Sequence, residues 1–319
     1  MKSSGGGDLP GFTRRFRRRR GASAAVIYLF ALVVVTLLRS MIANALPVVA
    51  SSGTSISFPA FSGQTRPSYP WRFSIPAPIP FSPTDVHLGE RLQPPGESHW
   101  LGTDELGRDV LARMIHGSAV SLAVGFISAL LALFVGSAIG GLAGYYGGGV
   151  DWTISRVIEI VVCFPFLFIV LAVVSIFEPS LITIIGALGL SSWPMEARLV
   201  RGEMLRLRDM DFAESARASG ATSSRVLVRH LLPNALAPVL ALVAFGVGSA
   251  ILAESALSFL GLGVALPTPS WGGLLASAED YLGHAWWLAL FPGLAIFATV
   301  VACNVVGDAL REALDPKSA

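Results

Sequence analysis

Side chains equipped for chemistry are sparse in this chain and fall in two places. Asp211, Glu214, Ser215 and Arg217 lie within about two helical turns of one another, just ahead of Gly220, in a charged segment between apolar runs. Glu254 stands alone as an acid inside a later apolar run. Elsewhere the set is thin. His87, His99, His116, His230 and His284 are scattered, Cys163 and Cys303 lie in separate apolar stretches, and the only lysines are Lys2 and Lys317. There is accordingly no G-x-x-x-x-G-K-[S/T] phosphate cradle, and neither H-E-x-x-H nor G-x-S-x-G occurs. Two isolated cysteines supply neither a disulfide framework nor a zinc pair. The chain is therefore expected to carry no catalytic, cofactor-binding or metal-binding residues of its own. Its chemistry is expected to be recognition, through charges displayed on a short helix and one acid held among apolar neighbours.

The elements that position these residues follow from composition. Of 319 residues, 53% are hydrophobic and 14% charged, with a net charge of +2, against roughly a quarter charged in an average soluble domain. A membrane class is implied. Crossing about 30 Å of hydrocarbon takes about 20 mostly apolar residues in a helix. Stretches of that kind cover 21–38, 114–150, 160–177, 179–195, 231–253 and 285–307, which predicts six spans in an all-α integral membrane protein. Gly136, Gly140 and Gly144 form a small-xxx-small row suited to helix packing. Trp286 and Trp287 fit an interfacial aromatic belt. Two readings of Glu254 stand: an acid lining a pathway or a gate within the membrane, or one bonded to an amide or a neighbouring helix near the outer end of the fifth span.

Orientation follows from the basic residues. Lys2 and the six arginines between Arg14 and Arg20 face a single acid, Asp8, in the first 23 residues, which places the N-terminus in the cytoplasm. An export signal ending near Ala43-Asn44-Ala45, or contact with anionic lipid or nucleic acid, are the other readings of that cluster. Six spans return the C-terminus to the cytoplasm. Ten of the 20 prolines lie between Pro47 and Pro95, and such a segment reads as an extended external connector. It leads into an interfacial helix at 102–117, with Thr103 or Asp104 as N-cap. The expected organisation is a basic tail at 1–23, a first span at 24–46, an external loop with its interfacial helix at 47–113, a five-span core at 114–310 and a tail at 311–319.

The cytoplasmic loop 196–234 holds seven arginines and five acids. Asp211 as N-cap with Glu214 three residues on makes a capping-box-like start, and Gly220 a C-terminal stop, which predicts a helix of about two turns. So short a helix is not stable alone and needs a surface to rest on. A second helix is expected from Thr222 or Ser223 to Pro233, where the next span begins, with Ala213, Ala216 and Ala218 letting a partner groove approach. A solvated basic loop that only fixes topology is the plainer reading.

Glu214-Ser215-Ala216, then Gly220 and Leu232-Pro233, resembles the EAA motif of the membrane subunits of binding-protein-dependent ABC importers. The stretches 102–117, 144–148, 254–263 and 269–272 are similar to those of the peptide-importer branch, and the likeness covers roughly residues 100–315 and the first span. Ser215 stands where alanine is common in the motif, and His230 where a branched apolar residue is common. The resemblance implies the type I importer permease fold, in the C-type permease of a dipeptide, oligopeptide or nickel importer. It implies that Asp211, Glu214, Ser215, Ala216, Arg217, Gly220 and Pro233 couple the chain to cytoplasmic ATPases, which bind the ATP and Mg. It further implies a homologous second permease, two ATPase subunits, an extracytoplasmic solute-binding protein and an inner-membrane location. The residues by themselves also admit an ATP-independent secondary transporter or channel using Glu254, or a membrane scaffold.

Overall fold

A computed structural model describes residues 21–51, 56–62 and 73–314. The basic tail with Lys2 and Arg14 to Arg20, and the last residues with Lys317, lie outside them. The chain is helical for most of its course. Helix α1 (Ala22–Leu37) is apolar and 16 residues long, and the single turn α2 (Arg39–Ile42) follows it. Within 49–75, strands β1 (Val49–Ser51), β2 (Ile56–Ser57) and β3 (Phe73–Ile75) form an antiparallel sheet in the order β2-β1-β3, with the turn α3 (Pro59–Ser62) between the last two. The Pro-rich segment is thus not merely extended. Polar alternation and prolines at strand borders, rather than a core, are what a small edge-exposed sheet needs.

Helix α4 (Val110–Tyr146) runs unbroken for 37 residues, about 55 Å at 1.5 Å per residue, longer than the hydrocarbon core. The expected interfacial helix at 102–117 is corrected here. The helix starts eight residues later, at Val110, with Asp109 as its N-cap accepting from Ala112 N at 2.7 Å. Thr103 and Asp104 sit in the turns before it. Asp104 is more useful there, because it takes the amides of Leu106 and Arg108 and the Arg108 guanidinium at 2.7 Å. His99 meets Asp109 at 2.9 Å, the indole N–H of Trp287 donates to Thr103 O at 3.1 Å, and buried Arg113 approaches Asp104 at 3.4 Å, so polar groups hold this end of the molecule together.

Helices α5 (Gly148–Cys163) and α6 (Phe166–Ile176) follow, bent by 82° at the Phe164-Pro165 break. The expected third span at 160–177 is therefore not one helix. Phe164 is forced extended by the proline after it (φ −87°, ψ 132°). Helix α7 (Leu181–Leu207), capped by Ser180, continues through Pro194 and past 195, so the first dozen residues of the expected loop 196–234 are helix. Next come α8 (Asp211–Ala218), α9 (Ser223–Arg225), a π-helical turn (Val226–Leu231), α10 (Leu232–Phe259), α11 (Trp271–Ala276) and α12 (Trp287–Leu314). Three helical segments, α4, the part of α10 from Pro238 and α12, are each long and apolar enough to cross a membrane, and the bent α5–α6 pair makes a fourth candidate.

The most extensive helix contact is α4 on α7, and the glycine row explains it. A Cβ at Gly136 would come within 2.6 Å of Glu196 Cβ, and one at Gly144 within 2.5 Å of Met204 Cβ, so only glycine lets the two backbones close. Helix α10 packs on α4, α11 and α12, and α12 carries α1 on its flank, where Tyr28 and Thr299 hydroxyls meet at 3.1 Å. Trp287 is only 3% exposed, so it belongs to the packed interior and not to a lipid-facing belt; Trp286, half-exposed, suits the belt.

Candidate functional site

The short helix α8 forms where the sequence asks for it, though it is capped differently. Met210, not Asp211, is the N-cap, and no side chain caps the end, so the capping box is corrected. Asp211 and Glu214 instead fill the first turn, where acids suit the positive end of the helix dipole. The other end is a Schellman closure: Gly220 takes φ +80°, its N–H reaches Arg217 O at 2.9 Å, and Ala221 N–H reaches Ala216 O at 3.1 Å. One face of α8 is held down, with Ala213 fully buried among Val200, Met204, Leu207, Val226 and Leu231, and Ala216 against the same cluster. The opposite face leaves Asp211, Phe212, Glu214, Ser215 and Arg217 exposed. Alanines at the contact let an eight-residue helix that is marginal alone sit close on the ends of its neighbours.

Charges fasten this end of the bundle. Arg201 of α7 grips both carboxylate oxygens of Asp151 at the start of α5, with Nη2 to Oδ2 at 2.7 Å. Arg208 donates to Gly144 O, near the C-terminal end of α4, and Arg217 donates to Arg208 O at 3.0 Å. The chain then returns through α9, whose N-cap is Thr222, into the π turn, where Leu232 N–H bonds five residues back to Leu227 O. Pro233 is exposed in the first turn of α10. It has no N–H to give, and the wider turn just before it absorbs the misfit. The two expected helices of the hairpin are present, and the second runs on into α10. The structure thus brings Asp211, Glu214, Ser215 and Arg217 onto one exposed surface, keeps Ala216 against the bundle beneath it, and sets Gly220 and Pro233 at the turn and at the entry to α10.

Glu254 lies elsewhere, fully buried toward the far end of α10. Its Oε1 accepts from Ser258 and Ser270 hydroxyls, each at 2.8 Å, and Ser270 also caps α11 through Gly273 N at 3.0 Å. Trp271 N–H and its indole N–H donate to Ser121 Oγ and Met114 O of α4, both at 3.0 Å. Of the two readings of Glu254, this arrangement favours the bonded one, an acid tying α10 to the α11 segment and through it to α4.

A residue that sequence reasoning missed sits in a cavity. About 280 Å³ of space opens between α4, α6, α7 and α10, bordered by Ser128, Phe166, Leu188, Ser192, Met195, Glu196, Leu242, Phe245 and Ser249. A second space of about 440 Å³ shares Met195 and Leu242 with it and extends past Leu199 and Glu203 to Arg311 near the end of α12. The loop expected at 196–234 includes Glu196 because the fourth apolar stretch, 179–195, ends just before it. The signal that would have found it is the helical period Leu188, Ser192, Met195, Leu199, Glu203, which passes Pro194 without a break.

Residues 136–319 match the family described as binding-protein-dependent transport system inner membrane component. The chain is 41% identical over 233 residues to the dipeptide transport system permease protein of Alkalihalophilus pseudofirmus, covering 73% of this chain and 77% of that one. It is 42% identical over 240 residues to the glutathione transport system permease protein of Pectobacterium atrosepticum, covering 75% and 80%. Among solved structures, an inward-facing form of the MetNI methionine ABC transporter aligns with TM-score 0.53 at 20% identity, over 64% of this chain and 97% of that chain. At that identity the likeness concerns the fold.

Proposed function

Because this chain belongs to the family of binding-protein-dependent transport system inner membrane components, we propose that it forms half of a peptide importer's translocation pathway and is moved by cytoplasmic ATPases through α8. Its cargo is a short peptide or a related small solute, received from an extracytoplasmic binding protein. A homologous second permease completes the pathway, and two ATPase subunits supply the nucleotide chemistry. Six passes, α1, α4, the α5–α6 pair, α7, α10 and α12, put both termini and α8 in the cytoplasm and the segment from 43 to 109 outside.

The observation that carries this reading is the placement of α8. It is rooted by Ala213 on the ends of α7 and the π turn, and it bares Asp211, Glu214 and Arg217 on the other side. It also joins α7 to α10, the two helices that contribute most of the cavity wall. A push on α8 is therefore a push on both walls, carried by rigid helices. A secondary transporter would need a protonatable group on the pathway, and Glu254 is instead closed in by serines.

Mild-detergent purification of the chain from native membranes tests the reading. ATPase subunits should accompany the unaltered chain and be lost with Glu214→Arg or with Arg217→Glu. Both residues are exposed, but Arg217→Glu also gives up the bond to Arg208 O, so Glu214→Arg is the cleaner probe of the contact. Recovery of the chain without any ATPase would reject it.

A further inference from the structure

Resting on the importer reading, we propose that Glu196 is the docking point for the ammonium group of the cargo, which makes the cavity between α4, α6, α7 and α10 a subsite for primary amines such as the free amino terminus of a short peptide. Glu196 is 8% exposed, and its Oε2 has no hydrogen-bond partner among the described residues. Glu203, also of α7, pairs with Arg206 at 2.8 Å, and Asp151 of α5 pairs with Arg201. Glu254 also leaves Oε2 bare, but it is closed in, and it is not among the residues that border the cavity. Among the described residues no basic side chain borders this cavity; Arg198 and Arg311 belong to adjoining spaces.

The remaining wall fits the same ligand. Ser128 donates its hydroxyl to Ile185 O at 3.2 Å, and Ser192 donates to Leu188 O at 2.8 Å. Their hydrogens being committed, what these serines present to the cavity is acceptor lone pairs. Glu196 and the two serines thus offer three acceptors, and an ammonium group carries three N–H donors. Phe166 and Phe245 add aromatic rings to the wall, and the face of such a ring attracts a cation. The base of the Glu196 side chain is set against the α4 backbone at Gly136, which fixes the point from which the carboxylate reaches. A lone carboxylate with neutral acceptors gives selectivity without the tight grip that would stall release.

The test uses the intact transporter, purified with its partner subunits and without the binding protein. Equilibrium binding of radiolabelled alanyl-phenylalanine and of its N-acetyl derivative is measured, and ATP-driven uptake is followed separately in proteoliposomes to which the binding protein has been added. The unaltered complex should bind the free amine at least about tenfold more tightly than the acetylated peptide, the scale of one charge-assisted hydrogen bond. Glu196→Gln should erase that preference, Glu196→Asp should keep it at weaker affinity, and Glu178→Gln, in the exposed turn before α7, should leave it unchanged. Equal binding of the two peptides, binding of neither, or a preference that survives Glu196→Gln would overturn the subsite. Should Glu196→Gln fail to assemble, Ser192→Ala must weaken binding of the free amine, and its failure to do so overturns the proposal equally. An amine preference lost in Glu196→Gln, without ATP-driven uptake by the unaltered complex, would uphold the subsite and reject the importer reading.

Discussion

At the scale of single residues, the acids Glu254 and Glu196 differ in what surrounds them. Glu254 drew attention because it interrupts an apolar run, but its oxygen holds Ser258 and Ser270 together and so fixes the cap of α11. Removing it would leave buried hydroxyls unmatched, a loss of about 1–3 kcal/mol. Glu254→Ala should therefore lower the melting temperature of the purified complex clearly, whereas Glu254→Gln, which keeps a side-chain carbonyl oxygen, should lower it less. Identical melting for the alanine variant and the unaltered chain would show that the acid bolts nothing. Glu196 was hidden from sequence reading because its environment is supplied by other helices, with Ser128 coming from α4 and Phe245 from α10.

At the scale of elements, close approach and tight turns set what the chain tolerates. Gly136, Gly140 and Gly144 let α4 lie on α7 backbone to backbone. Gly140→Leu would force the helices apart, an overpacking cost of about 1–3 kcal/mol or more. The variant should give a sharply reduced yield of monodisperse complex by size-exclusion chromatography; an unchanged yield would mean that the contact is dispensable. Gly220 closes α8 at φ +80°, a conformation that costs a side-chain-bearing residue about 1–2 kcal/mol. Gly220→Val should therefore weaken ATPase retention more than Gly220→Asn, since asparagine accepts the left-handed turn more readily. The two helices around Gly220 were legible because their signals are local: acids first, glycine last, then proline. The cap at Met210 was not, because it rests on backbone geometry that no side chain announces.

At the scale of the whole molecule, the arginine-rich end of the bundle is the end that carries α8. Arg201, Arg208 and Arg217 fasten α7 to the α4–α5 turn and to α8 there, while the Trp271, Trp287 and Asp104 contacts gather at the opposite end. That polarity makes a topological prediction. With Cys163 and Cys303 replaced by serine, Ser224→Cys should react with a membrane-impermeant maleimide only in inside-out vesicles. Ser82→Cys should react only in right-side-out ones. The opposite pattern would invert the orientation proposed here, and labelling of both in one vesicle type would break the pass count.

The sequence alone determined what depends on composition and on neighbours a turn or two away: a membrane class, most of the apolar helices, the short charged helix ended by Gly220, and the residues that resemble a coupling motif. Tertiary structure decided what depends on distant contacts. It broke the third apolar stretch at Pro165 yet carried α7 through Pro194, where packing along α4 offsets the hydrogen bond that a proline removes. It also turned Glu196 from a loop residue into a cavity acid, since burial belongs to the assembled helices and not to the position of a residue in its own run.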